Sequence, residues 1–178
     1  FYFPTRVAIP VEHSFGPEDP AALMASDHAL AVIDALGLPR YDLARFLAKG
    51  VTYTPDEQVI VQKWQRSRGQ VAGFVRTNFF KRLSSCGHSY HLSLARHIAR
   101  NELFLYALGS GLALPTGTVV DEMFASTDTD VDDDAGSEAT PQEQYDALVA
   151  RNPTSVTWVR ADLFTAELTK RLQSDTDA

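Results

Sequence analysis

Cysteine and histidine side chains cluster in the middle of the chain, where they could bind a metal ion or act as a nucleophile and its base. Cys86 is the only cysteine in the sequence, and His88, His91 and His97 follow it. A zinc site needs four converging ligands, or three and a water. His91 and His97 are six residues apart, which turns them about 240° from each other around a helix. We therefore favour a buried cysteine with surface or capping histidines over a metal site or a Cys–His pair.

An acidic run between residues 126 and 140 offers a second set of possible ligands. Three aspartates beginning at Asp128 fit the first, third and fifth positions of a calcium loop. The sixth position, which requires glycine, is Asp133, and the twelfth is Ala139 instead of glutamate. A run with so much charge and so few apolar residues is typical of a flexible, solvated linker.

Glycine and serine between residues 109 and 117 invite comparison with a phosphate-binding loop. No Gly-Lys-Ser/Thr follows them, and the chain has no Gly-x-Ser-x-Gly nucleophile motif. We therefore assign no catalytic, cofactor-binding or metal-binding residue and expect no cofactor. A small helical enzyme, with a site built from scattered residues, is kept as the second alternative function.

Basic residues in the middle of the chain form the predicted interaction surface. They alternate with aromatic residues, namely Trp64, Phe74, Phe79, Phe80 and Tyr90. Such a surface could contact RNA or an acidic protein. The alternative is that the aromatic residues form the core and the basic residues cover its solvated side. The predicted surface residues are Lys63, Arg66, Arg68, Arg76, Lys81, Arg82, Arg96 and Arg100.

Composition limits the classes of function. The chain has 178 residues, 44% of them hydrophobic, which is enough for one ordinary core. Its net charge is −7, yet residues 51–110 carry eight basic and three acidic residues, whereas residues 111–178 carry four and fourteen. The overall acidity argues against a protein whose main task is to neutralise phosphates. A single cysteine excludes an intramolecular disulfide and favours a reducing compartment.

Two features bear on location. The sequence begins with Phe1 instead of methionine, which cleavage of an organelle presequence or trimming would explain. The stretch 103–120 has no charged residue, but glycine, serine and proline crowd its second half. That composition predicts a helix end and a loop, so we expect no membrane span.

Helix boundaries are predicted by cap residues and glycines. A polar residue before proline marks a helix start at Asp19, Thr54, Thr140 and Asn152, and glutamate completes a capping box after Thr54 and after Thr140. Gly37, Gly50, Gly69, Gly87 and Gly109 mark ends. The predicted helices are 20–36, 39–49, 55–68, 70–83, 89–108, 117–125, 141–150 and 154–173, with a frayed tail after them.

These elements predict four regions of the chain. They are an extended N-terminal arm (1–18), a helical-hairpin repeat domain (19–125), the acidic linker (126–140) and a C-terminal helical hairpin with its tail (141–178).

The spacing of the caps indicates a repeat. Asp19, Thr54 and Ser89 are 35 residues apart, a period typical of stacked helical hairpins. The segment from Ala29 to Gly37, followed by Tyr41 to Leu47 and by a closing loop to Asp56, resembles a pentatricopeptide repeat. A weaker match begins at Arg66.

The resemblance implies an all-α, short α-solenoid fold, and a non-catalytic accessory subunit of a mitochondrial multiprotein complex on the matrix side. A cytoplasmic location is the alternative. The chain is similar in size and repeat content to a small subunit attached to the catalytic head of certain protist ATP synthases. Other protein subunits are the expected partners. The first alternative is an organellar RNA-binding repeat protein or a mitoribosomal subunit.

Overall fold

The computed structural model of the chain describes residues 16, 24, 26–66, 69–117, 139–151 and 156–178. Within those residues the fold is all-α with one small sheet, which confirms the predicted class. The rest of the predicted arm, residues 118–138 and the predicted cap Asn152 lie outside them. The helices are α1 (Asp27–Ala35), α2 (Pro55–Arg66), α3 (Gln70–Ser85), α4 (Gly87–Gly109), α5 (Pro141–Arg151) and α6 (Ala166–Asp177).

The two predicted capping boxes are present. At the start of α2 the amide of Glu57 donates to Thr54 Oγ1 over 3.3 Å, and the amide of Thr54 donates to Glu57 Oε2 over 2.9 Å. Thr140 and Glu143 make the same pair of bonds at the start of α5, over 3.3 Å and 2.7 Å. Because each box satisfies amides that the helix leaves unpaired, both starts follow from local sequence.

Other predicted boundaries are wrong. A helix start lies inside the segment predicted as one helix from residue 20 to residue 36: α1 begins at Asp27, where the amide of Ala29 donates to Ser26 Oγ over 3.3 Å. The predicted cap Asp19 lies outside the described residues. Helix α4 begins at Gly87, so this glycine opens a helix instead of closing one, and Ser89 lies inside the helix instead of capping it. The third cap of the 35-residue period is therefore absent, and regular stacking of repeats stays a prediction.

The helix predicted for residues 39–49 is replaced by two 3-10 turns, Pro39–Tyr41 and Leu43–Phe46. The chain then runs beside the C-terminal segment: the amide of Ala48 donates to the carbonyl of Leu163, and the amide of Thr165 donates to that of Phe46, both over 2.8 Å. These long-range hydrogen bonds compete with helix formation and replace it.

The helix predicted for residues 154–173 is also wrong. Strand β2 (Thr157–Val159) pairs antiparallel with β1 (Leu114–Thr116), and a 3-10 turn at Ala161–Leu163 separates β2 from α6. Helix α6 continues to Asp177, so the residues predicted as a frayed tail are helical. Threonine and valine in β2 suit a strand that has a partner.

Helix α4 is the central element, since it packs against α3, α5, α6 and β1. Its N-terminal half contributes Tyr90 to one buried cluster with Ile33, Leu36, Leu38 and Phe79. Its C-terminal half joins a larger cluster that extends from the 3-10 turn at Leu43 to the end of α6. The buried residues of the larger cluster are Leu43, Phe46, Leu103, Phe104, Ala107, Leu114, Tyr145, Leu148, Val159, Leu163, Phe164, Leu168 and Leu172.

A buried polar contact joins the end of α6 to the corner after α1. Asp175 Oδ1 and Oδ2 accept hydrogen bonds from the amides of Gly37, over 2.8 Å, and Leu38, over 2.7 Å. His97 Nε2 lies 3.9 Å from Asp175 Oδ2 and 3.3 Å from Asn101 Nδ2. Burial raises the pKa of Asp175, and it lowers the pKa of His97 to about 3, so this imidazole is neutral at pH 7.

An ion pair joins the start of α2 to the segment after β2. Arg160 Nε donates to Glu57 Oε1 over 2.8 Å, and Arg160 Nη2 donates to Glu57 Oε2 over 3.1 Å and to the carbonyl of Thr52 over 3.1 Å. The hydrogen bond from Arg160 and the amide of Thr54 lower the pKa of Glu57 to about 2. The C-terminal segment is thereby tied to the N-terminal half.

Candidate interaction surface

The predicted basic residues are distributed over three consecutive helices. Lys63 and Arg66 lie on α2, Arg76, Lys81 and Arg82 lie on α3, and Arg96 and Arg100 lie on α4. Arg68 lies outside the described residues. No aspartate or glutamate occurs anywhere from residue 58 to residue 101. All eight predicted residues fall in this acid-free stretch, which is unusual in a chain with a net charge of −7.

Only some of these residues are exposed. Arg76 Nη2 donates to the carbonyl of Leu36 over 2.6 Å, and its Nε donates to that of Ile33 over 3.4 Å. Arg76 therefore satisfies carbonyls at the end of α1 and belongs to the structure of the fold. Arg96 and Arg100 are half-buried on the central helix. The exposed members of the predicted set are Lys63, Arg66, Lys81 and Arg82.

The aromatic residues that alternate with these basic residues also fall into a buried group and an exposed group. Phe79 and Tyr90 are buried in the smaller cluster with ring centroids 6.5 Å apart, and Phe80 packs against that cluster. Trp64 packs against Phe164, with centroids 6.1 Å apart. Phe74, in contrast, is 71% exposed. Four of the five aromatic residues belong to the core, and one faces solvent.

The outer face of α3, opposite its buried side, includes Val71, Gly73, Phe74, Thr77, Asn78, Lys81, Arg82 and Ser84, all of which are exposed. Phe74 and Lys81 are seven residues apart and so lie on one line along the helix, about 10 Å from each other. Val71 is 42% exposed on one side of that line. The face is thus apolar towards the start of α3 and basic towards its end.

Phe74 and Gly73 are unfavourable in a helix that meets only water. Leaving a phenylalanine side chain exposed forgoes about 1.5 to 3 kcal/mol of burial free energy. Glycine inside a helix costs about 0.8 to 1 kcal/mol relative to alanine. A Cβ built at Gly73 meets no atom within 4 Å, so packing inside this chain does not require glycine there. Both residues suit a helix that another molecule approaches closely.

Cys86 differs from the sequence-based interpretation, because it is exposed instead of buried. It precedes the first residue of α4, and hydrogen bonds from the amide and hydroxyl of Ser89 lower the pKa of its thiol. His97 is only 3% exposed, and its ring meets Phe79 edge-on at 5.7 Å between centroids. Among the described residues, no three His, Cys, Asp or Glu side chains lie where they could hold a metal ion together.

Comparison with protein-family models found no match, and comparisons with curated proteins and with solved structures also found none.

A small cleft of about 190 Å³ lies between the first turn of α6 and the 3-10 turns. Arg45, Phe46 and Thr165 line it together with Glu167 and Arg171. Arg171 Nε donates to Glu167 Oε1 over 2.9 Å, so the two charges offset each other within the cleft.

Helices long and apolar enough to cross a membrane are absent from the part of the chain that the structure describes. The uncharged stretch predicted to be a helix end and a loop contains the end of α4 at Gly109, followed by strand β1. The described basic residues lie on helices that the sequence predicts, whereas the exposure of Phe74 was not predicted. The signal available for it was Gly73 beside an aromatic residue inside a predicted helix.

Proposed function

We propose that this chain is a non-catalytic accessory subunit of a mitochondrial multiprotein complex and that it binds a partner protein through the outer face of α3. The observation that carries the proposal is Phe74, 71% exposed beside a helical glycine and followed by exposed basic residues. Apolar anchors inside a polar rim are the usual centres of protein interfaces.

Helix α2 has a related pattern and supports the same function. Val59 is 68% exposed, and Lys63 and Arg66 follow it four and seven residues later. Residues at these spacings share one side of a helix. Each of the two consecutive helices α2 and α3 therefore carries an exposed apolar residue followed by exposed basic residues.

The mitochondrial setting comes from the resemblance to pentatricopeptide repeats. Under this proposal the catalytic head of an ATP synthase is the first assembly to test, because the chain resembles a small accessory subunit of that complex in size and in predicted repeat content. RNA is the alternative partner, since exposed lysine and arginine beside an exposed aromatic ring also suit single-stranded nucleic acid.

Purification of the tagged chain from its native source, in moderate salt and with nuclease treatment, tests the proposal. Mass spectrometry should find a stoichiometric, nuclease-resistant set of proteins. Loss of all partners after nuclease treatment, or recovery of the chain alone, would contradict the accessory-subunit proposal and favour RNA binding or another function.

A further inference from the structure

We infer that the partner segment on the outer face of α3 is an acidic, amphipathic α-helix of three to four turns. This inference deepens the proposed function and rests on it. It specifies the chemistry of the contact: an apolar side chain against Phe74 and Val71, and carboxylates about two turns away, against Lys81 and Arg82.

The shape of the face favours a helix as the partner. Gly73, Thr77 and Ser84 are small, exposed residues on one side of the line from Phe74 to Lys81. Little side-chain bulk projects on this side, because the space in front of Gly73 is open and the hydroxyl of Thr77 donates back to the carbonyl of Gly73 over 3.0 Å. A helix packs along such a side at close range, with its side chains between those of α3.

The charge of the face favours an acidic partner. Lys81 and Arg82 are exposed, and no carboxylate occurs in the sequence from residue 58 to residue 101. Arg82 Nη1 donates to the neutral hydroxyl of Ser93 on α4 over 2.9 Å, which leaves its charge without compensation from that contact. Opposite charges across an interface orient the partner and speed its association. Because Phe74 and Val71 lie towards the start of α3 and the two cations towards its end, the partner helix has one preferred direction.

The chain's own acidic run is a competing occupant, since it carries Asp128, Asp130 and Asp132–Asp134. Its only apolar residues between Asp128 and Glu138 are Val131 and Ala135, with Gly136 beside them. A segment of this composition supplies charge for Lys81 but little apolar surface for Phe74. We therefore assign the face to a segment of another protein and leave the chain's own run as an outcome of the test.

Titration of the full chain with two synthetic peptides tests the inference. Each peptide is an 18-residue amphipathic helix with leucine on one side, and the polar side carries glutamate in one and lysine in the other. Binding is measured by calorimetry and mapped by backbone amide NMR shifts. The glutamate peptide should bind and shift the amides of residues 71–84, and the lysine peptide should not bind.

Three variants test the contact, and a fourth is the control. Phe74→Ser should weaken binding about tenfold, as loss of an interface anchor does, and Lys81→Glu with Arg82→Glu about fivefold or more. Gly73→Ala should weaken binding while it raises the melting temperature, an effect that impaired folding cannot imitate. Val149→Ser, at a 49% exposed position on α5, should leave binding unchanged.

Equal binding of the two peptides, failure of the glutamate peptide to bind, or equal affinity of all variants would overturn the inference. The inference would also be overturned if the chain's own acidic run occupied the face. In that case, replacing residues 126–138 by a neutral linker would shift the NMR signals of residues 71–84. A stoichiometric complex recovered from the native source would in each case leave the proposed function standing. Peptide binding without such a complex would contradict the proposed function instead.

Discussion

At the scale of single residues, Glu57 connects two parts of the chain that are distant in sequence. Its carboxylate closes the capping box at the start of α2 and accepts two hydrogen bonds from Arg160. We expect Glu57→Gln to lower the free energy of unfolding by about 1 to 2 kcal/mol, from the cap and the half-exposed ion pair together. Denaturant unfolding at pH 7 measures the change.

The effect of Glu57 depends on pH in a defined direction. Its folded-state pKa of about 2 lies below the ordinary glutamate pKa of 4.5, so its carboxylate stabilises the fold above the unfolded-state pKa. The difference between the wild type and Glu57→Gln should therefore shrink as the pH falls from about 5 towards 2. Asp162→Asn, which removes an exposed contact to Arg160 Nη1 at 3.2 Å, is the matched control and should have little effect. A difference that stays constant over this range would contradict the assignment.

Asp175 is the second residue with a specific structural role, because its two oxygens satisfy the amides of Gly37 and Leu38. In Asp175→Asn one of those oxygens becomes an NH2 group, so one buried amide loses its acceptor. We expect a loss of about 1 to 3 kcal/mol in the free energy of unfolding. Asp177→Asn, at an exposed position one half-turn further along α6, is the control. Equal stability of the two variants would show that the contact contributes nothing.

At the scale of elements, α3 combines a buried side with an outer face that is poorly suited to water. Gly73→Ala should raise the stability of the isolated chain by about 0.8 to 1 kcal/mol, since alanine is the better helix former and the added methyl group meets no neighbouring atom. Thermal unfolding followed by circular dichroism measures the shift. Destabilisation would mean that glycine is required for packing within the chain. Gly73 would then no longer indicate that another molecule approaches α3.

Helix boundaries could be predicted where the information is local. The capping boxes at Thr54 and Thr140 depend on residues three positions apart, and both are present. The 3-10 turn at Leu43–Phe46 and strand β2 were missed because their partners are remote: Leu47 pairs with Phe164, and Leu114 pairs with Val159. Pairing across such distances leaves no periodic signal in a short segment.

The candidate site could be predicted only in part, because some of its features are local in sequence and others depend on long-range packing. The basic stretch can be read directly from the sequence, so Lys81 and Arg82 can be predicted to belong to a basic surface. The role of Arg76 at the end of α1 depends on how two helices pack, and sequence spacing does not encode that. Phe74 and Phe79 have similar sequence surroundings, yet one is 71% exposed and the other 5% exposed, because they lie on opposite sides of α3.

At the scale of the whole molecule, the C-terminal segment belongs to the same core as the first half of the chain. Leu43, Leu103 and Leu172 are buried in one cluster. We expect a single cooperative unfolding transition, because neither half can keep that cluster buried without the other. Trp64 and Trp158, which pack against the cluster from different segments, are suitable probes.

The test compares the tryptophan fluorescence of Trp64→Phe and Trp158→Phe with the circular dichroism of each variant. All four transitions should have the same midpoint after correction for the stability of each variant. An earlier transition at Trp158 would show that the residues from 141 onwards unfold as a unit of their own.

The most direct test of the central claim is photo-cross-linking at position 74 in the complex purified from the native source. The chain carries p-benzoylphenylalanine in place of Phe74, and a second chain carries it in place of Val149 on α5. We predict that position 74 cross-links to one defined segment of a partner protein and that position 149 does not. Cross-links from position 149 but none from position 74, or cross-links from position 74 to RNA, would contradict the claim that the outer face of α3 is the protein-binding surface.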